Sequence, residues 1–141
     1  MKQAFEILHA EPAGPGFLDV TGKVAERLAG LRARDGLLTL FIRHTSASLT
    51  IQENADPAVQ RDLLEILDHL APRERRWQHA TEGADDMPAH VKAMLTATSL
   101  SIPLQAGRMM LGTWQGIYLV EHRDRPRRRE IVMHFMGEMG G

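Results

Sequence analysis

The sequence predicts a single α+β domain over residues 1–141, with one mixed, largely antiparallel sheet and two to three helices. Three observations lead to this prediction. The chain has 141 residues, which is the size of one domain. Hydrophobic residues make up 43% of it and charged residues 25%, which is ordinary globular usage. Helix-like segments separate the early strand-like segments, whereas four strand-like segments follow one another in the last third.

The first predicted elements are a strand and a helix. Alternation of apolar and polar side chains predicts a strand over residues 3–10, and the proline- and glycine-rich residues 11–16 predict a turn. Thr21 is expected to cap a helix that ends at Asp35-Gly36. The apolar side chains that recur at helical spacing in this helix are Val24, Leu28 and Leu31.

The middle of the chain predicts two strands and a second helix. Residues 37–43 are too apolar and too few for an amphipathic helix, so they predict a buried strand, and residues 46–51 predict another. Asp56 followed by Pro57 is typical of a helix start, and Pro72 ends that helix. Its apolar face comprises Val59, Leu63, Ile66, Leu67 and Leu70.

The rest of the chain predicts a long loop, a short helix and consecutive strands. Residues 73–86 are polar and aperiodic, and loops of this length often carry function. Pro88 can open a short helix. The strand-like runs cover residues 99–104, 108–114, 116–122 and 130–136, with a hairpin turn at 105–107 and a solvated basic connection at 123–129.

Charge and residue content argue against several classes of protein. Lys and Arg number 17 and Asp and Glu 18, so the net charge of −1 disfavours a general nucleic-acid binder. The chain has no cysteine, which excludes disulfides and thiolate zinc sites and agrees with a reducing cytoplasm. No segment approaches the ~20 apolar residues of a membrane span, and no signal-peptide pattern is present. We therefore expect a cytoplasmic protein without a membrane or nucleic-acid partner.

Three histidines lie in segments whose chemistry favours a site. His44 follows a buried strand, and imidazole is both an acid–base group near neutral pH and the commonest metal ligand. His79 and His90 flank an acidic segment that contains Asp85 and Asp86. Without cysteine, a metal site needs nitrogen and oxygen ligands, such as three histidines or histidines with carboxylates. The alternative is a solvated acidic loop near a structural histidine, because the histidine spacing matches no short metal motif.

Two further polar segments are candidates for binding. Asn54 and Asp56 precede the second predicted helix, where free backbone N–H groups favour anions, although capping alone explains Asp56. Thr113 and Gln115 lie in a glycine-containing run, and glycine within a strand often marks a bulge or a close approach of backbone. The alternative for this run is a bulged hairpin with Trp114 as a core residue.

Together, three segments resemble the YjbQ-like family, also called the secondary thiamine-phosphate synthase family. They are HTSASLTIQENADP, which starts at His44, the acidic loop that ends in DDMPAH at His90, and GTWQGIY, which starts at Gly112. The resemblance runs from about Ile42 to His122 and, by general layout, covers nearly the whole chain.

The resemblance implies an α+β fold, a homotrimer and a cytoplasmic location. It also implies a weak thiamine-phosphate synthase activity, in which a pyrimidine diphosphate and a thiazole phosphate are joined with loss of pyrophosphate. His44, His79 and His90 are expected to be catalytic and to hold a divalent metal, zinc or magnesium, with Asp85 or Asp86 as an optional further ligand. The residues expected to bind the phosphorylated substrate are Thr45, Asn54, Asp56, Thr113 and Gln115.

Two hypotheses of function follow. In the first, the chain is a synthase-type transferase whose metal neutralises the leaving diphosphate, and electrostatic stabilisation dominates because a carbocation-like displacement needs little base. In the second, it is a metal- or phosphate-binding protein whose synthase activity is incidental. A nucleic-acid module that uses the arginines of residues 123–129 is disfavoured by the balanced charge.

Overall fold

Eight strands and three helices form over residues 1–140, the part of the chain that this computed structural model describes. The strands are β1 (Lys2–Ala10), β2 (Gly16–Asp19), β3 (Ala33–Ile42), β4 (Ala47–Glu53), β5 (Ser99–Gln105), β6 (Arg108–Met109), β7 (Gln115–Glu121) and β8 (Arg129–Met139). The helices are α1 (Thr21–Gly30), α2 (Pro57–Leu70) and α3 (Asp86–Leu95). The α+β class is confirmed, and none of these helices is long and apolar enough to cross a membrane.

The strands divide between two sheets, where the sequence analysis expects one mixed sheet. A five-stranded sheet has the order β1-β8-β3-β5-β6, and a three-stranded sheet has the order β2-β7-β4. Within residues 1–140 every strand pairing is antiparallel. The division was not predictable from alternation, because a period of two shows which residues share a face but not which strands pair.

The core lies between the two sheets, and α1 packs against it. Leu38 and Leu40 of β3, Leu49 of β4 and Leu119 of β7 are all fully buried and belong to one cluster. α1 adds Val24 and Leu28 to the same cluster. Burial of each such side chain stabilises the fold by about 2 kcal/mol. The two sheets are therefore held together by apolar packing, and polar residues gather at the ends of the strands.

The two predicted helix caps have different outcomes. Asp56 caps α2 as predicted, since its Oδ1 accepts a hydrogen bond from the Ala58 N–H at 2.9 Å and Pro57 opens the helix. The predicted cap at Thr21 is wrong, because Thr21 is already helical and makes no capping bond. Its hydroxyl instead accepts a hydrogen bond from the Ile117 N–H at 2.8 Å. This bond connects α1 to the three-stranded sheet.

The predicted end of α1 at Asp35-Gly36 is also wrong. The helix ends at Gly30, and β3 begins at Ala33, with a register shift between Ala33 and Gly36. A Cβ added at Gly36 would overlap the backbone of β8. The glycine is needed for the close approach of two strands at a bulge, not for stopping a helix.

Three smaller differences lie near the surface. β2 forms where the sequence analysis places only the end of a turn, and it pairs with β7. The strand predicted over residues 108–114 is reduced to the two residues of β6. α3 begins at Asp86, two residues before Pro88, so the acidic end of the predicted loop belongs to the helix.

Candidate metal centre

Two histidines and one aspartate converge beside the start of α3. His79 lies in the loop that precedes α3, and Asp86 and His90 lie one turn apart on the helix. Asp86 Oδ2 is 2.6 Å from His79 Nε2 and 3.2 Å from His90 Nε2. One ligand atom from each residue lies within 4.8 Å of the others, so the cluster can hold a metal ion. The i, i+4 spacing places Asp86 and His90 on one helix face, and the loop adds the third ligand.

Burial differs sharply within this cluster. The Asp86 side chain is 3% exposed, whereas those of His79 and His90 are 42% and 33% exposed. Burial alone would raise the pKa of Asp86, but the hydrogen bond with His79 and the charge of Arg123 outweigh it and lower that pKa. Asp86 is therefore ionised at neutral pH, and its negative charge faces two imidazoles that solvent and small molecules can reach.

Arg123, which follows β7, fixes the acidic side of the cluster. Its Nη1 donates to Asp86 Oδ1 at 2.7 Å, its Nε donates to Asp85 Oδ2 at 2.8 Å, and its Nη2 donates to the Glu82 carbonyl at 3.0 Å. Burial opposes ionisation of Asp85, yet the hydrogen bond from Arg123 lowers the pKa of Asp85 to about 2. Because Arg123 occupies Oδ1 of Asp86, the other carboxylate oxygen is left to the histidines.

A backbone carbonyl sets the tautomer of His90. Its Nδ1 lies 3.0 Å from the carbonyl oxygen of Thr45, and a carbonyl can only accept, so Nδ1 carries the proton. In neutral His90 the lone pair of Nε2 then faces Asp86 Oδ2. Two acceptors 3.2 Å apart repel each other unless a proton or a cation lies between them. Metal-ligating histidines commonly show this arrangement, with the second ring nitrogen donating to a carbonyl.

His44 does not join this cluster within the chain. Its Nε2 accepts a hydrogen bond from the Glu130 N–H at 2.8 Å, and its Nδ1 lies 3.4 Å from Arg129 Nη1. Burial and then the charge of Arg129 lower the pKa of His44. Its Nε2 lone pair already accepts a hydrogen bond from the backbone of β8. The group that could hold a metal therefore contains Asp86, where a third histidine, His44, was predicted.

A buried ion pair lies next to His44, and sequence reasoning missed it. Arg129 binds both carboxylate oxygens of Glu121, at 2.5 and 2.7 Å, and it also donates to Ser46. The Glu121 side chain is 0% exposed and that of Arg129 is 5% exposed. The basic run of residues 123–129 predicts a solvated connection, but Arg123 and Arg129 are both buried. Alternation could have identified Arg129, because it is in phase with the inward-facing Ile131 of β8.

Most residues predicted to bind substrate lie at the other end of the three-stranded sheet. The cluster of His79, Asp86 and His90, which we call the metal cluster, adjoins the end of the sheet where Ala47 pairs with Glu121. We call this the metal end. Glu53 pairs with Gln115 at the opposite end. Six residues of strand separate these ends, which corresponds to roughly 20 Å. Of the residues predicted to bind substrate, only Thr45 lies at the metal end.

Residues 112–114 form a turn and not the end of the predicted strand over 108–114, and Gln115 begins β7. The Gln115 N–H donates to the Gly112 carbonyl at 3.0 Å, and Gln115 Oε1 accepts from the Gly112 N–H at 2.8 Å. The Asn54 N–H donates to the Trp114 carbonyl at 3.0 Å, and Asn54 Nδ2 donates to the Thr113 carbonyl at 3.4 Å. The side chains of Asn54 and Gln115 thus support the turn, and Trp114 is 64% exposed instead of lying in the core.

Comparison with known proteins gives concordant results for sequence and structure. Residues 6–138 match the family described as UPF0047 protein YjbQ-like. A UPF0047 protein of Synechocystis sp. is 48% identical over 139 residues, which are 98% of this chain and 95% of that protein. The UPF0047 protein YjbQ of Escherichia coli O157:H7 is 44% identical over 124 residues, which are 87% of this chain and 90% of that protein.

Solved structures show the same similarity. A conserved hypothetical protein of Thermus thermophilus is 40% identical and matches with a TM-score of 0.82, covering 93% of this chain and 99% of that one. A YjbQ/UPF0047 protein of Clostridium acetobutylicum is 36% identical and matches with a TM-score of 0.86, with the same two coverages.

Proposed function

The chain belongs to the YjbQ-like UPF0047 family, and on this premise we propose that it is a metal-dependent transferase with weak thiamine-phosphate synthase activity. The substrates would be a pyrimidine diphosphate and a thiazole phosphate, joined with release of pyrophosphate. The observation that carries the proposal is the convergence of His79, Asp86 and His90 within 4.8 Å. A reaction that releases a diphosphate needs positive charge at the leaving group, and such a ligand set supplies a place for it.

The ligand set favours a transition metal over magnesium. Two imidazoles and one carboxylate suit zinc, whereas magnesium prefers oxygen ligands throughout. Three protein ligands leave a coordination position open, which is typical of catalytic and not of structural zinc sites. When bound, the metal would neutralise the diphosphate that leaves.

The protein holds two of the three ligands in place before any substrate binds. Arg123 orients the carboxylate of Asp86 through the hydrogen bond of 2.7 Å, and the Thr45 carbonyl orients the imidazole of His90 at 3.0 Å. Ligands that are already oriented need little reorganisation during the reaction, which is the main advantage of an electrostatic site. His79 lies on a loop and is the ligand most open to solvent.

We also propose a homotrimer, assembled through the outer face of the five-stranded sheet. This face carries exposed apolar side chains, namely Phe5, Ile7, Leu37, Phe41 and Met136. The register pairs Leu37 with Met136 and Phe41 with Val132, so these positions share one face of the sheet. An extended apolar patch is unusual on the surface of a monomer. Gln115 and the metal centre lie at opposite ends of the three-stranded sheet in one chain, so a shared site would need the turn of a neighbouring copy.

Replacement of single histidines tests the proposed function. His79→Ala and His90→Ala should each abolish zinc binding and synthase turnover, because each removes one of three ligands, while the midpoint of thermal unfolding stays nearly unchanged. Titration calorimetry with zinc, and turnover of the two substrates with and without chelator, provide the measurements. His69→Ala is the matched control, since His69 lies exposed on α2, outside the cluster.

Two results would speak against the synthase. Unchanged turnover in both variants would remove the histidines from the mechanism. Tight zinc binding with negligible turnover in the unaltered protein would favour the second hypothesis, a metal- or phosphate-binding protein. The cytoplasmic location and the absence of nucleic-acid and membrane partners stay predictions.

A further inference from the structure

A cavity of about 400 Å³ opens beside the metal cluster, and three arginines and three acidic residues line it. Arg123, Arg125 and Arg127 contribute to its wall, together with Asp85 and Asp124. The volume lies in the range of small-molecule sites. Two of these residues connect it to the metal cluster, because Arg123 binds Asp86 directly and Asp85 precedes Asp86 in the chain.

Arg123 and Arg73 already neutralise the two aspartates of this cavity. Asp85 pairs with Arg123 at 2.8 Å, and Asp124 pairs with Arg73 through two hydrogen bonds. The hydrogen bond from Arg73 lowers the pKa of Asp124, so both carboxylates are ionised and both are satisfied. They have little capacity left to neutralise a further cation.

The third acidic residue of the cavity is Glu82, and it points elsewhere. Its Oε2 lies 3.9 Å from His79 Nε2, at the metal cluster. Among residues 1–140, neither Arg125 nor Arg127 forms an ion pair with a carboxylate. Two guanidinium charges therefore remain available at the wall of the cavity.

Arg127 carries an unusual feature. Its Nε is buried, and it has no hydrogen-bond partner within the described residues 1–140. A buried donor without a partner costs about 1–3 kcal/mol, and such groups are rare in folded proteins. The two terminal nitrogens of Arg127 are not buried in this way and donate no hydrogen bond within residues 1–140, so an anion in the cavity can accept hydrogen bonds from them. The planar guanidinium fits the geometry of phosphate oxygens with two parallel N–H donors.

We propose that this cavity binds a phosphate or diphosphate group of a small molecule, with Arg125 and Arg127 as its ligands. The substrate assignment rests on the proposed function: the diphosphate of the pyrimidine substrate would lie between the metal cluster and these two arginines. Anion binding as such does not require the metal. A concave site with two free guanidinium groups suits a compact anion better than an extended nucleic acid, which needs a wide basic surface.

Calorimetry with inorganic pyrophosphate tests the proposal on the full chain after treatment with chelator. The unaltered protein should bind pyrophosphate, and Arg127→Gln should weaken binding by about 10- to 100-fold, as expected for loss of charge-assisted hydrogen bonds. Arg125→Gln should weaken it as well. Arg128→Gln is the matched control, because Arg128 is exposed, donates to His9 Nδ1 at 3.2 Å and changes the net charge equally.

The possible outcomes separate this proposal from the proposed function. The anion site would be overturned if the unaltered protein showed no detectable binding of pyrophosphate. It would also be overturned if Arg128→Gln lost as much affinity as Arg127→Gln, because that result would show general electrostatic attraction. Retained binding in His90→Ala together with loss in Arg127→Gln would support it, whatever the turnover. Arg127→Gln should not lower the unfolding midpoint, since Arg127 Nε donates no hydrogen bond within residues 1–140 that the substitution could remove.

Discussion

The two ends of the three-stranded sheet use polar residues in different ways. At the end beside α3, ionised side chains bind one another: Glu121 pairs with Arg129, and Asp86 pairs with Arg123. At this end, ligand atoms of His79, Asp86 and His90 also lie within 4.8 Å of one another. At the opposite end, the polar atoms of Asn54 and Gln115 bind the backbone of a turn. A group of polar residues in a sequence can therefore mark either a reactive site or the support of a turn.

The largest expected difference between the ends concerns stability. Glu121→Gln should lower the free energy of unfolding by about 3–5 kcal/mol, because it leaves the charge of Arg129 buried and unpaired. Gln115→Ala should cost only about 1 kcal/mol, the value of one neutral hydrogen bond near the surface. Urea unfolding of both variants at neutral pH gives the comparison. Equal losses would show that the two ends are not built differently.

Acid should weaken the metal end next most strongly. His122 Nε2 lies 2.9 Å from Ser48 Oγ, and burial, followed by the charge of Lys92, lowers the pKa of His122 to about 4. In the unfolded chain its pKa is about 6.5, so the unfolded state binds more protons below that pH. The stabilisation from neutral His122 is complete above pH 6.5 and is lost as the pH falls towards 4. The loss amounts to about 3 kcal/mol.

A variant without this imidazole checks the acid effect. Urea unfolding at pH 7, 5.5 and 4.5 should show a clearly smaller decline in His122→Asn than in the unaltered protein. The lowered pKa of His44 acts in the same direction and accounts for part of the remaining decline. Asp85, with a pKa of about 2, is ionised throughout this range and contributes little to the decline. An equally steep decline in His122→Asn would contradict the assignment.

Local sequence patterns predicted features that depend on residues close together in the chain, such as the start of α2. The start of α2 depends on a carboxylate and a proline that are adjacent in the chain. As predicted, Asp56 caps the helix and Pro57 is its first residue. His79 and His90 were found because they flank one acidic segment. Asp86 was an open alternative, and its position one turn before His90 shows why it completes the cluster.

Contacts between distant segments could not be predicted in the same way. His44 binds the backbone of Glu130 across 86 positions of sequence, and no local pattern indicates that pairing. The separation of Gln115 from the metal cluster depends on the register of β4 and β7, which only the assembled sheet defines. The resemblance to a family joined these residues in one expected site, whereas the geometry of one chain divides them between two ends.

The proposed trimer offers the most discriminating test of this division, although its expected effect is the smallest. If His90 of one copy works with Gln115 of a neighbour, trimers that mix His90→Ala chains with Gln115→Ala chains contain some intact sites. A site is intact when its metal side comes from a Gln115→Ala chain and its turn comes from a His90→Ala chain. Random mixing of equal amounts gives about a quarter of intact sites in such a ring.

Co-expression with two different affinity tags, purification through both and a turnover assay provide the measurement. Purification through both tags removes the unmixed trimers, and each mixed trimer has one intact site of its three. The purified protein should therefore regain about a third of the unaltered turnover, whereas each variant alone stays inactive. If the mixed trimers had no activity, His90 and Gln115 of neighbouring copies would not form a shared site, and the turn would serve only as structural support. Since the two ends lie roughly 20 Å apart in one chain, recovered activity would mean that the neighbouring copy brings them together.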